Sequence, residues 1–474
     1  DEVLHRELVQ NSLTLLKNTA AVFPIRNLDS QKIAYVKLGD AENDAHVNML
    51  KNYAEITVVS DTSLKGIIEK LKPFDLVVIG FHKSNINPWK SYKFTKKELR
   101  WLQVISKKNT VILEVLTSPY SLLKIKNFKD IEGIIVSYQN SKLAQEISAQ
   151  LLFGAIVANG KLPVSIQTTF KEGSGIVSTG LSRFEYTIPE AVGMSSNKLA
   201  LLDKLADTII TEKMAPGFQI LVARNGKVVL QKSYGYHTQN KINKVKNTDL
   251  YDVASLTKIL ATLPLLMKAE EEQRISLTDQ VVDIFPRFRN TNKAAITVKE
   301  MLSHTAKLKA WIPFYKATQD SLTGENLSSY YRTIKSKEYR TKVAENLFLK
   351  SNYKDSIYKY IKFADQREEE GYKYSDLGYY LLKEALEDSY KKPLNTLVDV
   401  YFYKPLGANR TGYLPLERFS KKDIVPTEKD NYYRNQLLHG NVHDMGAAML
   451  GGVGGHAGVF ANANDVGKIM QLYL

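Results

Sequence analysis

The sequence predicts two consecutive domains, a doubly wound α/β domain with a parallel sheet and then an α+β domain. Short apolar segments alternate with amphipathic helical patterns along the first part of the chain, which predicts the first domain. A stretch rich in Gly, Ser and Thr interrupts the alternation, and the hairpin and long helical patterns after it predict the second. We therefore expect domains at residues 1–169 and 191–474, joined by a linker at 170–190.

Five segments of the first domain have the length and the apolar composition of strands buried on both faces: residues 32–38, 55–59, 74–81, 110–116 and 131–136. Helical patterns lie between them, at 95–107, with Leu99, Leu102 and Ile105 on one face, and at 141–154. Because parallel strands need crossover connections that are usually helical, this alternation favours a parallel sheet covered by helices.

The second domain is expected to open with a helix over residues 196–213. A β-hairpin follows, with strands at 218–223 and 227–234. Its turn is Asn225-Gly226, a dipeptide typical of the tight turns that match the twist of paired strands.

Composition narrows the class of protein. Hydrophobic residues make up 44% and charged residues 24% of the 474 residues, which excludes a largely disordered chain. The absence of cysteine excludes disulfides, a Cys-ligated zinc site and a cysteine nucleophile. No apolar run reaches the 18 or so residues of a transmembrane helix. The chain starts at Asp1 without a signal-peptide pattern, so we expect a processed or trimmed product.

The charge and the polar residues limit the kinds of partner that the chain can have. The net charge of +15 favours anionic partners without naming one. Residues 314–374 are dense in Tyr and Lys, which predicts a solvated, partly inserted region. No recognised nucleic-acid module accompanies it, so no nucleic-acid partner is expected. No cluster has the spacing of metal ligands, so we expect neither a metal nor another cofactor.

The motif S-x-x-K is the candidate for catalysis, since G-x-S-x-G, H-E-x-x-H and the phosphate loop are all missing. Ser and Lys three residues apart share a helix face, so the amine can take the hydroxyl proton. The motif starts at Ser121, Ser195, Ser255, Ser351 and Ser356, and a further copy starts at Ser389. Only Ser255 follows a hairpin and opens a strongly apolar helix. The alternative interpretation is a plain helix start with a small buried residue.

Residues 252–258 (DVASLTK) resemble the nucleophile motif of the serine β-lactamase, penicillin-binding-protein and related esterase superfamily. Further segments resemble that superfamily in the same order along the chain: residues 223–227, 301–306, 374–378, 442–444 and 455–460. The resemblance implies a β-lactamase/transpeptidase-like α+β fold and an acyl-enzyme mechanism. It makes Ser255 the nucleophile, Lys258 the general base and Tyr374 the group that passes the proton on, with Ser375, Asp376 and His456 in supporting positions.

Two departures from the superfamily pattern modify this expectation. Asp376 stands where the superfamily has Asn, which fits its esterase-like branch better, and this carboxylate is expected to orient Lys258. The third element, [Lys/His]-[Ser/Thr]-Gly on a strand, is missing, so we expect the domain to be incomplete at its C-terminus. His456 is not assigned to that element. His304 is expected to be a packed helix residue, and Asp444 to cap the helix that follows it.

The first domain has a resemblance of its own. Residues 7–18, 23–25 and 32–34 resemble the beginning of the C-terminal α/β domain of glycoside hydrolase family 3, and residues 154–164 resemble its end. Joined to the second domain, this is similar to bacterial fusions of a β-N-acetylglucosaminidase with a β-lactamase-like domain. The aspartate nucleophile of that family lies in a barrel absent from this sequence, so no glycosidase residue is assigned.

Three functional hypotheses follow. The first is a serine hydrolase acting on an amide or ester, with peptidoglycan-derived muropeptides or another acylated small molecule as substrate. The second is a part of a β-N-acetylglucosaminidase in which the β-lactamase-like domain only supports or binds. The third is a non-catalytic binding module. The resemblance implies a bacterial periplasmic or cell-surface location.

Overall fold

The computed structural model describes residues 1–85 and 89–474. Contacts divide the chain into two compact units. Unit 1 comprises Asp1–Leu205, Leu221–Gln231 and Lys404–Asn409, and unit 2 comprises Ala206–Ile220, Lys232–Tyr403 and Arg410–Leu474. The limits of 1–169 and 191–474 expected from the sequence stay a prediction.

Unit 1 is built around a six-stranded sheet with the order β1-β6-β5-β4-β2-β3. The strands are β1 (Thr14–Asn18), β2 (Ile33–Gly39), β3 (Ile56–Val58), β4 (Leu76–His82), β5 (Val111–Leu116) and β6 (Gly133–Val136). Strands β2 to β6 are parallel, whereas β1 runs antiparallel to β6 at one edge. The five predicted strands correspond to β2–β6, and β1 was not predicted.

Helices pack on both faces of this sheet. They are α1 (Glu2–Ser12), α2 (Asp44–Lys51), α3 (Leu64–Leu71), α4 (Lys96–Ser106) and α5 (Lys142–Leu152). Successive strand residues point to opposite faces, so Val78 belongs to the core under α1, α2 and α5, and Val77 to the core under α3 and α4. Thr95 and Glu98 form a capping box that fixes the start of α4.

Two sets of hydrogen-bonded polar side chains lie in the core under α1, α2 and α5. The Tyr35 hydroxyl lies 2.5 Å from Nε2 of His82, whose Nδ1 lies 2.6 Å from the side-chain oxygen of Asn140. Nε2 of His46 lies 2.8 Å from the fully buried carboxylate of Glu114. This carboxylate raises the pKa of His46 against the opposite effect of burial.

Short elements follow the sheet. They are β7 (Glu185–Tyr186), α6 (Ser196–Leu199), α7 (Leu201–Thr211), β8 (Gly217–Arg224) and β9 (Lys227–Gly235). The helix predicted over 196–213 is therefore divided into α6 and α7, with Ala200 closing the first of them. The predicted hairpin is confirmed, since Asn225 and Gly226 both have positive φ values, as its tight turn requires.

Unit 2 combines helices with small sheets. Its strands are β10 (Tyr251–Asp252), β11 (Tyr331–Arg332), β12 (Thr341–Ala344), β13 (Leu347–Leu349), β14 (Lys429–Asp430), β15 (Gln436–Leu437) and β16 (Phe460–Ala461). Its helices are α8 (Leu263–Glu271), α9 (Val281–Ile284), α10 (Val298–Leu302), α11 (Tyr353–Phe363), α12 (Leu377–Tyr390), α13 (Leu394–Val398), α14 (Met445–Met449) and α15 (Ala463–Gln471). In the described part of the chain, no helix combines the length and the apolar character needed to cross a membrane.

The Tyr- and Lys-rich region, predicted to be solvated, is folded instead. Strands β11, β13 and β12 form a small sheet in it, and α11 follows. Tyr331, Tyr339 and Tyr353 are buried, while the lysines between them stay at the surface. The prediction was wrong for the tyrosines because composition cannot tell a ring that packs inward from one that faces solvent.

Candidate active site

Ser255 and Lys258 lie on an irregular turn between β10 and α8. Residues 254–256 form one 3₁₀ turn, and a π-type turn over residues 258–262 follows, in which the Leu263 N–H donates to the Lys258 carbonyl. Pro264 has no N–H for the Leu260 carbonyl, which accepts the Tyr403 hydroxyl instead at 3.1 Å. The regular helix start expected at Ser255 is therefore replaced by a 3₁₀ turn followed by a π-type turn.

The Lys258 amine is the centre of the site. Its Nζ lies 2.9 Å from Oγ of Ser255, 2.6 Å from the Tyr374 hydroxyl and 2.7 Å from Oδ1 of Asp376. The main-chain oxygen of His456 lies 3.4 Å away. Lys258 is only 4% exposed, whereas Ser255 is exposed to solvent. The structure thus brings Ser255, Lys258, Tyr374 and Asp376 together from positions up to 121 residues apart (376 − 255).

None of the other S-x-x-K serines has such a contact in the described part of the chain. Ser195 caps α6 by accepting the Lys198 main-chain N–H. Ser121 is buried in a 3₁₀ turn, Ser351 donates to the Glu338 carbonyl, and Ser356 lies within α11. Among the described residues, only Ser255 lies within hydrogen-bond distance of the amine three positions later.

The segment that carries Tyr374 and Asp376 is held by the turn after α10. The Asp376 N–H donates to the Ala310 carbonyl at 2.8 Å. Ser375 turns its hydroxyl to the Lys309 carbonyl (2.6 Å) and not to Lys258, and its N–H donates to Nδ1 of His304 (3.2 Å). Ser375 therefore supports the loop and not the amine.

His304 differs from its expected position inside a helix. It follows the end of α10 with a left-handed φ of 58° and lies half-buried against Tyr374, with the ring centroids 4.6 Å apart. Burial and the nearby charge of Lys258 lower the pKa of His304, so the imidazole is held neutral and can accept from Ser375. Sequence spacing gave no sign of this contact.

The glycine-rich segment before β16 closes the site from the other side. The Thr262 hydroxyl donates to the Gly455 carbonyl at 2.6 Å, and the Val459 N–H donates to the Thr257 hydroxyl at 3.1 Å. Strand β16 pairs antiparallel with β10, directly before the turn that carries Ser255 and Lys258. A Cβ on Gly455 would lie 2.3 Å from the Tyr379 carbonyl, so only glycine fits there.

The side chain of His456 points away from the amine. Its Nε2 lies 2.8 Å from Oδ1 of Asp444, and its ring stacks on Tyr380 with the centroids 4.3 Å apart. Asp444 also accepts the Ala447 N–H and so caps α14, as predicted. Burial raises the pKa of Asp444, but the charge and hydrogen bond of His456 outweigh this and lower it well below its usual range. His456 therefore contributes to the amine's surroundings through its main chain.

The sequence analysis missed a further carboxylate, that of Asp252. Its two oxygens accept the N–H groups of Ala254 (2.9 Å) and His443 (2.6 Å). These bonds connect the turn that carries Ser255 to the loop before α14. Burial raises the pKa of Asp252. Its place at the start of the DVASLTK motif was the available signal.

Within residues 1–85 and 89–474, no group of three or more His, Asp or Glu side chains is arranged to hold a metal ion.

Comparisons with known proteins place the second part of the chain in a family. The beta-lactamase family matches residues 203–474, more than half of the chain. The N-acetylmuramyl-L-alanine amidase of Bacillus subtilis (strain 168) is 28% identical over 312 residues, covering 60% of this chain and 65% of that protein. A Salmonella typhi protein named "Putative D-alanyl-D-alanine carboxypeptidase" is 30% identical over 315 residues, covering 60% and 66%.

The chain thus spans just under two thirds of the length of these two relatives. Among solved structures, the octameric penicillin-binding protein homologue from Pyrococcus abyssi is 20% identical, with a TM-score of 0.42 over 58% of this chain and 56% of that chain. The family match confirms the resemblance seen at residues 252–258 for the second part of the chain, whereas no comparison supports the one proposed for the first. The chain belongs to the beta-lactamase family.

Proposed function

We propose that this protein is a serine acyl hydrolase that cleaves an amide or ester through an acyl-enzyme on Ser255. The observation that carries the proposal is the position of the Lys258 amine, 2.9 Å from the Ser255 hydroxyl and 2.6 Å from that of Tyr374. A nucleophilic serine needs an adjacent group that takes its proton, and a buried amine in hydrogen-bond contact is such a group.

To act as the base Lys258 must be uncharged, and its neighbours can serve an amine in that state. Such an amine has two N–H bonds and one lone pair. The Asp376 carboxylate and the His456 carbonyl can only accept, so they take the two N–H bonds. The hydroxyls of Ser255 and Tyr374 accept from Lys258 when the amine is protonated, and either can donate to its lone pair once it has lost a proton. This arrangement makes Lys258 the base for the attack of Ser255.

The proton then has a path to the leaving group. In the proposed step, Oγ of Ser255 bonds to the carbonyl carbon while its proton moves to Lys258. Tyr374 passes a proton to the departing nitrogen or oxygen and is reprotonated by Lys258, and water later releases the acyl group by the reverse path. The N–H of Ser255 is available as one donor to the developing oxyanion.

We propose substrates from the bacterial cell wall, muropeptides above all, and a periplasmic or cell-surface location. The support is the names of two relatives, an N-acetylmuramyl-L-alanine amidase and a D-alanyl-D-alanine carboxypeptidase, both of which refer to the peptide part of peptidoglycan. The net charge of +15 suits anionic wall material.

The test is the mass of the intact full chain after brief exposure to penicillin and, separately, to an activated ester. We expect a covalent adduct with at least one reagent, because the acyl-enzyme is covalent. Ser255→Ala should form none, while Ser351→Ala, which changes another S-x-x-K serine, should be acylated like the wild type. An adduct that persists in Ser255→Ala would contradict the assignment of the nucleophile. Unchanged affinity of Ser255→Ala for wall fragments, with no turnover by the wild type, would favour a binding module.

We also propose that residues 1–169 are a domain like the C-terminal domain of glycoside hydrolase family 3. The supporting observation is that the two segments resembling its beginning and end meet: the Gly160 N–H donates to the Leu13 carbonyl at 3.0 Å. The assay is hydrolysis of a chromogenic N-acetylglucosaminide by the full chain. We expect no turnover and a supporting role for these residues, because the nucleophile of that family lies in a barrel absent from this sequence. Turnover that survives Ser255→Ala would contradict this role and show glycosidase activity outside the serine site.

A further inference from the structure

A cavity of about 260 Å³ lies beside the proposed site and is not used by its mechanism. Asp376 forms part of its wall, but Ser255, Lys258 and Tyr374 do not. The other lining residues come from the loop after α10, the start of α12 and the start of α14, among them Trp311, Tyr380, Asp444 and Gly446. The cavity thus adjoins the reacting groups through a single carboxylate.

The charged side chains that line this cavity are both carboxylates, and each contacts on one oxygen a basic side chain outside the lining, Lys258 or His456. Its two ionisable carboxylates are Asp376 and Asp444, and no Lys or Arg is among the described residues that line it. The partners of both carboxylates bond to Oδ1, namely Lys258 in the first case and Ala447 and His456 in the second. Within the described part of the chain, Oδ2 of each has no hydrogen-bond partner. Two carboxylate oxygens are therefore free to accept from a ligand.

Two aromatic residues of the cavity wall, Trp311 and Tyr380, also bear on which ligand the cavity binds. Trp311 is 52% exposed, although an indole ring this large is usually covered. Tyr380 is 3% exposed, yet its hydroxyl has no hydrogen-bond partner among the described residues. That hydroxyl packs against Gly446, where a Cβ would come within 1.8 Å of it. A hydroxyl that reaches a cavity without a partner from the described residues can complete its bonding there with a ligand or with solvent.

We infer that this cavity binds an alkylammonium group of the substrate. A cation is the ligand that gains from two carboxylates and from the face of an indole ring at once. The ammonium hydrogens would bond the Oδ2 atoms of Asp376 and Asp444, and the Tyr380 oxygen could accept a third. A neutral acyl chain would leave these oxygens unpaired. The inference rests on the proposed function and specifies its substrates as compounds with a free amino group near the scissile bond.

The test uses the full chain and two pairs of substrates that differ in a cation. In the first pair the cation lies in the acyl group: the p-nitrophenyl esters of Nα-acetyl-lysine and Nα-acetyl-norleucine. In the second it lies in the leaving group: 4-(aminomethyl)phenyl acetate and its neutral isostere, 4-ethylphenyl acetate. We expect kcat/KM for the cationic member to exceed that of the neutral member by about tenfold in at least one pair.

Two variants then locate the preference. Trp311→Leu and Asp444→Asn should each reduce the cationic-to-neutral ratio by about threefold or more. Phe363→Leu is the matched control, because it removes an aromatic ring that is 64% exposed and does not line the cavity, and it should retain the wild-type ratio. A ratio near one in both pairs, or a ratio that survives both variants, would overturn the inference while the hydrolase proposal stands. No turnover of any ester, or turnover that survives Ser255→Ala, would overturn the proposed function, and the inference with it.

Discussion

Four oxygen atoms lie within hydrogen-bond distance of Nζ of Lys258, and two of them are closer than the others. Tyr374 and Asp376 are closest, at 2.6 and 2.7 Å, Ser255 follows at 2.9 Å, and the His456 carbonyl is last at 3.4 Å. The tyrosine hydroxyl is therefore held as firmly as the carboxylate, although Tyr374 itself is 40% exposed. A group so placed can exchange protons both with the amine and with a substrate in solvent.

Replacing this hydroxyl should slow the chemical step. We expect Tyr374→Phe to lower kcat about 10²-fold or more, the usual contribution of one acid–base group, with KM much less affected. Steady-state kinetics on an ester and an amide of the same acyl group would measure both constants. The loss should be greater for the amide, because its nitrogen must be protonated to leave.

Tyr372→Phe is the matched control for this prediction. It removes a hydroxyl two positions earlier on the same segment, from a ring that is 69% exposed. Its kcat should equal that of the wild type. Equal losses in the two variants would mean that the tyrosines stabilise the segment and that Tyr374 transfers no proton.

The residues of the site could be named from the sequence, but not all of their contacts. Ser255, Lys258, Tyr374 and Asp376 were identified because short motifs carry them in a recognised order. The His456 carbonyl near Lys258 and the His304 contact to Ser375 were not, since main-chain positions and residues brought together by folding leave no periodic pattern. Trp311 and Tyr380 were missed for the same reason.

At the scale of elements, the strands were easier to predict than the way in which they pair in the sheet. Strands β2 to β6 appear as apolar segments because both of their faces are buried. Strand β1 has only five residues, directly follows α1 and ends in Lys17 and Asn18, so its pattern is not distinctive. Its antiparallel pairing with β6 depends on a contact across more than 100 residues, which no local pattern encodes.

The irregular turn at Ser255 depends on a small number of side-chain bonds, and Thr262 makes one of them. Thr262→Val keeps the shape but leaves the buried Gly455 carbonyl without its 2.6 Å donor. We expect a loss of about 1–3 kcal/mol in the free energy of unfolding, measured with urea. Thr427→Val changes an exposed threonine and should cost much less. A cost no larger than that of Thr427→Val would show that the Thr262 bond does not hold the turn.

At the scale of the molecule, the core of unit 1 contains a histidine that must stay uncharged. Burial, together with the nearby charge of His46, lowers the pKa of His82 from 6.5 to about 3. The unfolded chain therefore takes up this proton first as the pH falls. The stability that depends on neutral His82 is complete above pH 6.5, declines below it, and is lost by about pH 3.

This linkage gives a prediction for unit 1. We expect its opening free energy, from hydrogen exchange at the amides of β2 and β4, to fall by about 1.4 kcal/mol per pH unit below pH 6.5 on account of His82. His82→Gln should remove that part of the slope, because glutamine does not titrate. Identical slopes in the two proteins would show that His82 is protonated equally in the folded and unfolded chains.

The pairing of β10 with β16 bears on when the turn at Ser255 can form during synthesis of the chain. Ser255 lies about 200 residues before the segment that fixes its turn at both ends. Such distant contacts form late, because a long loop must close before they contribute. The ribosome must therefore have made the chain through residue 461 before Ser255 can reach the geometry described above.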